Sequence, residues 1–178
     1  MEEDQYSFAF QPIVDLRQRV TVAVEALVRG KDNEPAGTVL GPLSEQELWE
    51  FDIQARHRAI RLAQALDIRC RINLNYVPGS NTDSETELLN DLVTFASNCG
   101  IASSQLVLEV SERFAIRDVD RFTEQVDTAR SAGVFFSIDD FGAGYSGLNF
   151  LAKFQPSDRK STRLNSSHSQ QSRMPSSA

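Results

Sequence analysis

Cysteine and histidine are nearly missing from the 178 residues, with two of each. Cys70 and Cys99 have no CxxC spacing, so neither a disulfide framework nor a thiolate metal cluster is indicated, and both read as reduced, packed side chains. His57 falls in the middle of a helical pattern between Arg56 and Arg58, a place for packing or solvation rather than for a general base. No apolar run approaches the ~20 residues that cross a bilayer. Residues 1–5 (MEEDQ) are acidic and lack the basic-then-apolar order of a secretory signal, so a cytoplasmic location is expected. Positive charge is short as well, at 18 Lys and Arg against 25 Asp and Glu. The composition changes near position 157: the last 21 residues carry seven Ser, four Lys or Arg and one acid. Without them the body holds 14 basic and 24 acidic residues, a net charge of −10. Such a body repels nucleic acid, which argues against a direct reader of DNA or RNA. A phosphate ester as ligand would need divalent cations to supply the attraction.

What is present is an alternation of strand and helix patterns. Residues 6–14 (YSFAFQPIV) and 20–28 (VTVAVEALV) read as two strands joined by the short polar stretch 15–19, a hairpin. In the second, Thr21, Ala23, Glu25, Leu27 and Arg29 share one face, and the valines with Ala26 share the other. Glu25 therefore stands in a strand that is apolar on both sides, as in sheets covered on both faces. Residues 30–42 carry loop signals. Ser44 with Glu47 forms a capping box ahead of an apolar periodicity that predicts a helix to about residue 66. A strand is predicted over 69–76, with Asn73 and Asn75 on one face, then a helix over 84–98 closed by Gly100. A strand over 105–110 carries Glu109, and a helix over 118–132 is closed by Gly133. A buried strand from Val134 then ends in the adjacent carboxylates Asp139 and Asp140, ahead of a loop with Gly142 and Gly144. A further helix is predicted to begin near Tyr145. Strands alternating with helices in this way argue for parallel βα units, with no internal sequence repeat.

Taken singly, the polar residues have ordinary explanations. Glu25, Glu109 and Glu112 could be solvated strand-end or capping charges, Asn73 a structural amide, Arg29 a surface cation, and the Asp pair a solvated turn. Lined up, each strand offers an oxygen ligand near its C-terminal end: Glu25, Asn73, Glu109 and Asp139. In a βα barrel that edge is the active-site face. Carboxylates and an amide carbonyl without His or Cys describe a site for Mg²⁺ or Mn²⁺ rather than zinc. With Asp140 there is charge enough for two ions, the arrangement used for in-line attack of water on a phosphodiester.

These motifs resemble those of EAL domains, the cyclic-di-GMP phosphodiesterases of bacterial second-messenger signalling. Glu25-Ala26-Leu27 with Arg29, preceded by Phe10-Gln11-Pro12-Ile13, is similar to the naming signature. Ile72-Asn73-Leu74, Leu108-Glu109-Val110-Ser111-Glu112 and the run from Asp139 to Ser146 resemble the later motifs, in order and at matching spacing. Departures are mild: Ser111 and Ala143 where Thr is usual, and Gly147 where Ser is usual. The resemblance implies an α/β fold, a (βα)8 TIM-type barrel with an antiparallel first strand. It implies Glu25, Asn73, Glu109 and Asp139 as metal ligands, with Asp140 serving a second ion. Glu112 would hold the loop after Asp140, and Gln11, Leu27 and Arg29 would touch the dinucleotide. The implied reaction is hydrolysis of cyclic-di-GMP to linear pGpG, and the implied intact protein can be a homodimer. The alternative is a catalytically inactive EAL-like module that binds cyclic-di-GMP or a protein partner.

The resemblance covers residues 6–157 and about five of the eight strands, so 1–157 is expected to be a partial EAL domain. The lysine, general-base glutamate and glutamine of the family's later strands have no counterpart, and the chain as written is expected to be inactive. Residues 158–168 (DRKSTRLNSSH) have the form of a translated sequencing-library adapter. A Ser-rich disordered tail is the other reading of 158–178, and either one excludes that segment from fold reasoning.

Overall fold

The computed structural model of the chain describes residues 5–77, 82–111 and 119–139. Strands β1 (Tyr6–Asp15) and β2 (Val20–Gly30) form the expected antiparallel hairpin. Its tip is an Asx turn: Asp15 Oδ1 accepts from the backbone N–H of Arg17 at 2.8 Å and of Gln18 at 3.1 Å. The register slips by one residue at Ile13/Val14, a bulge close to the turn of the hairpin. Beyond β2, where loop signals stand in the sequence, a short helix α1 (Ala36–Leu40) follows Pro35. Five residues with none buried leave no periodicity to read.

Three longer helices alternate with three further strands. They are α2 (Glu45–Ala65), β3 (Arg71–Asn75), α3 (Thr82–Asn98), β4 (Leu106–Ser111), α4 (Val119–Ser131) and β5 (Phe135–Asp139). The sheet order is β1-β2-β3-β4-β5, and β2 to β5 pair in parallel. At the start of α2 the capping box closes as the sequence indicates. The Glu47 N–H donates to Ser44 Oγ at 3.3 Å, and the Ser44 N–H donates to Glu47 Oε2 at 2.9 Å.

All three long helices lie against one face of the sheet. Val24, Ala26, Ile72, Leu74, Leu106, Leu108 and Val110 meet Ala59, Ile60 and Ala63 of α2, Leu89, Leu92 and Ala96 of α3, and Phe122, Val126 and Ala129 of α4. The same turn returns each helix to its next strand. Ile68 N–H bonds to Ala63 O, Ile101 N–H to Ala96 O and Val134 N–H to Ala129 O, each at 2.9 Å. Between the partners stands a residue with left-handed backbone: Asp67 (φ 54°), Gly100 (φ 73°) and Gly133 (φ 80°). This is the Schellman closure, which satisfies helix-end carbonyls while reversing the chain.

At Gly133 an added Cβ would meet Ser103 Oγ at 2.7 Å in addition to adopting an unfavourable φ. Gly133→Ala should therefore lower stability by about 1–2 kcal/mol or more. Gly37→Ala, inside α1 with open space around it, should be neutral or raise stability by about 0.4–1 kcal/mol. Urea unfolding midpoints of the two variants check the contrast, and equal midpoints would contradict it.

Candidate functional site

Side chains alternate across a strand, so residues that do not face the helices share the opposite face of the sheet. The register then sets their levels. Glu25 pairs with Gln11 of β1 on one side and with Asn73 of β3 on the other. Leu27 and Arg29 follow on the same face of β2, opposite Ala9 and Ser7. Glu109 pairs with Asn75 of β3 and with Ser137 of β5, and Asp139 ends β5 as the partner of Ser111. Because β2 to β5 are parallel, their carboxyl ends form one edge, and Glu25, Asn73, Glu109 and Asp139 are placed along it. Nearer the amino ends the same face carries apolar and cation–π contacts. Val107 pairs with Phe135, over whose ring the Arg71 guanidinium carbon stands 4.3 Å from the centroid.

Asn73 is 4% exposed and Glu109 8% exposed. Asn73 Nδ2 donates to Glu109 Oε1 at 2.5 Å, and Ser137 Oγ donates to the same oxygen at 3.2 Å. The other end of the amide, Asn73 Oδ1, is buried without a hydrogen-bond partner. Leaving an acceptor in that condition costs about 1–3 kcal/mol. A buried carbonyl oxygen lacking a donor, next to a buried carboxylate, suits a hard divalent cation. The donor set thus fits the metal that the sequence indicates. Among the described residues no group of three His, Cys, Asp or Glu side chains converges on one point. What is described of the set is two glutamates and the Asn73 amide, with Asp139 placed by its backbone alone. Glu112, Asp140 and the loop to Ser146 lie outside the described residues. Of the residues expected at the dinucleotide, Gln11 is exposed, while Leu27 and Arg29 are half-buried. Arg29 Nη1 donates to the Val28 carbonyl at 2.8 Å, which folds the guanidinium back along its own strand.

The EAL domain profile matches residues 1–161. The chain belongs to the EAL domain family. Over 153 residues it is 32% identical to the blue light- and temperature-regulated antirepressor BluF of Escherichia coli, a match spanning 84% of this chain and 37% of BluF. It is 32% identical over 159 residues to the cyclic di-GMP phosphodiesterase PA2567 of Pseudomonas aeruginosa, spanning 84% of this chain and 26% of that protein. Among solved structures, it resembles Klebsiella pneumoniae BlrP1 in complex with manganese and cyclic-di-GMP. The TM-score is 0.78 at 29% identity, over 88% of this chain and 40% of BlrP1. The EAL chain therefore spans well under half the length of each. The barrel class with its antiparallel first strand, expected from the motifs, is the fold of these EAL relatives.

Behind β3 the EAL chain carries a buried polar group that the motifs do not announce. Asp52 and Arg56 of α2 are both buried, with Arg56 Nη2 to Asp52 Oδ2 at 3.4 Å. Asp52 Oδ2 also accepts from the Val77 N–H at 3.0 Å, just past the end of β3. Tyr76 hydroxyl donates to the buried Glu85 of α3, and the Arg56 guanidinium carbon lies 5.1 Å from the Tyr76 ring centroid. The i,i+4 spacing of Asp52 and Arg56 on the inward side of a helix is the signal that could have exposed this cluster. Ser137 was legible in the same way, as a polar residue two before Asp139 in an apolar strand. His57 has the packing role expected of it: it stacks on Phe95 at 4.4 Å and stands 3.2 Å from Asp91 Oδ2. Burial holds its pKa below the usual value, against the pull of Asp91.

Burial pushes the Asp52 carboxyl up to about 6, with Arg56 opposing only part of the shift. An acid whose pKa is raised on folding binds more protons in the folded than in the unfolded state across the interval between the two values. Between the ordinary value of 3.8 and about 6, the free energy of unfolding should thus fall with rising pH through this group. Urea unfolding of wild type and Asp52→Asn across that interval tests it. Asp52→Asn should lack that component of the slope, and identical slopes would remove Asp52 as its source.

Proposed function

We propose that residues 1–157 are the N-terminal portion of a cyclic-di-GMP phosphodiesterase domain, which hydrolyses the cyclic dinucleotide to linear pGpG. The observation that carries the reading is the buried, donor-less Asn73 Oδ1 beside Glu109, on the carboxyl edge of a sheet in an EAL-family chain. The phosphodiesterase name of PA2567 and the bound manganese and cyclic-di-GMP of BlrP1 support it.

In this reading Glu25, Asn73, Glu109 and Asp139 hold Mg²⁺ or Mn²⁺, and Asp140 serves a second ion. Ions held by these residues would supply charge neutralisation at the phosphodiester and a lowered pKa for an attacking water. The residues of the chain supply the rest. Their oxygens offset the repulsion between the dinucleotide and an acidic protein by fixing positive charge at one edge. Gln11, Leu27 and Arg29 receive the dinucleotide along β1 and β2, with Arg29 suited to a phosphate oxygen. Glu112 holds the loop after Asp140. The general base comes from outside residues 1–157. Among the described residues no helix is long and apolar enough to cross a membrane; a cytoplasmic location remains part of the proposal.

A second reading, an EAL module that binds cyclic-di-GMP or a protein partner without turnover, is supported by the likeness to the antirepressor BluF. The presence of Glu25, Asn73 and Glu109 together favours the enzyme, since a binder without catalysis is free to lose a cation site. In a protein that contains this segment and the remaining strands, Glu25→Ala should abolish Mg²⁺-dependent release of pGpG and leave the far-ultraviolet circular dichroism unchanged. Retained turnover would take Glu25 out of the metal site. A complete barrel that binds cyclic-di-GMP but never cleaves it would favour the second reading.

A further inference from the structure

We propose that Ser137 is a positioning residue for the cation site, acting through the carboxylate of Glu109. This rests on the metal reading above and deepens it. The parallel register sets Ser137 directly beside Glu109, and Ser137 Oγ donates to Glu109 Oε1 at 3.2 Å. From the other flanking strand Asn73 Nδ2 donates to that same oxygen at 2.5 Å. Two donors from opposite flanking strands hold that one oxygen of a carboxylate that is nearly enclosed. With Nδ2 committed to Glu109, the Asn73 amide is held so that Oδ1, the atom without a partner, is its remaining contact group. The hydroxyl of β5 and the amide of β3 therefore orient the Glu109 carboxylate between them, and the amide is oriented in return. Neighbours are covered otherwise: Phe136 and Ile138 of β5 pack into the helix-side core, leaving Ser137 as the polar residue of that strand level with Glu109.

Groups that orient a ligand by hydrogen bonding change metal affinity by about 10–100-fold when removed. The test is a Mn²⁺ titration of the full chain, followed by the electron paramagnetic resonance signal of free manganese. Ser137→Ala should weaken Mn²⁺ binding by about 10-fold or more. Ser137→Thr and Ser137→Val form the decisive pair, because they have the same shape and differ in the hydroxyl. Threonine should restore binding and valine should not, at equal urea midpoints. If valine and threonine bind Mn²⁺ equally, the hydroxyl has no role and the inference falls. If the wild-type chain shows no saturable Mn²⁺ site, or Glu109→Ala binds as tightly as wild type, the metal reading itself falls and the inference goes with it.

Discussion

The arrangement depends on one constraint: the two-residue repeat of parallel strands whose helices all lie on one side. Helix packing draws Ile72, Leu74, Leu106 and Leu108 into the core. The residues between them are thereby committed to the other face, whatever their chemistry. A shift of one residue in β3 or β4 would place Asn73 or Glu109 in the apolar core, where an ionised carboxylate without compensation is costly. The apolar packing therefore holds the polar site in place.

The turns between helices and strands set the same register at the opposite edge. Each closes with a local hydrogen bond reaching five residues back over a left-handed residue, and each leads the chain towards the amino end of its next strand. That edge carries apolar and cation–π contacts such as Arg71 over Phe135. The carboxyl edge instead carries a buried amide oxygen without a partner. The division matches the separation of stability from activity seen in βα barrels. A buried unsatisfied acceptor is the kind of local cost that functional sites retain.

The polar cluster behind β3 joins the two layers. Asp52 holds the Val77 N–H just past the strand end, while Tyr76 and Glu85 connect the strand to α3. Removing two charged side chains from water is repaid only when their remaining hydrogen-bonding groups are met. Here Asp52 serves both Arg56 and a backbone amide, which ties α2 to the segment that leaves β3.

Much of this could be read from the residues. The capping box at Ser44 and Glu47, the glycines at 100 and 133, and the alternation in β2 each follow from local rules, and each appears in the structure. The motifs Glu25-Ala26-Leu27, Ile72-Asn73-Leu74 and Leu108-Glu109-Val110 indicated both the family and the residues to watch. The short helix after Pro35 was not legible, because five residues carry no period. The left-handed Asp67 was not legible either, because aspartate visits that backbone only occasionally and, unlike glycine, does not announce it. Sequence alone determined which residues alternate and which strands end in oxygen donors, since those are properties of a few consecutive positions. Only the tertiary structure decided that Ser137 and Asn73 meet on one oxygen of Glu109. Three strands distant in the chain must pair in a particular register before that contact exists, and register is set by the packing of the whole sheet.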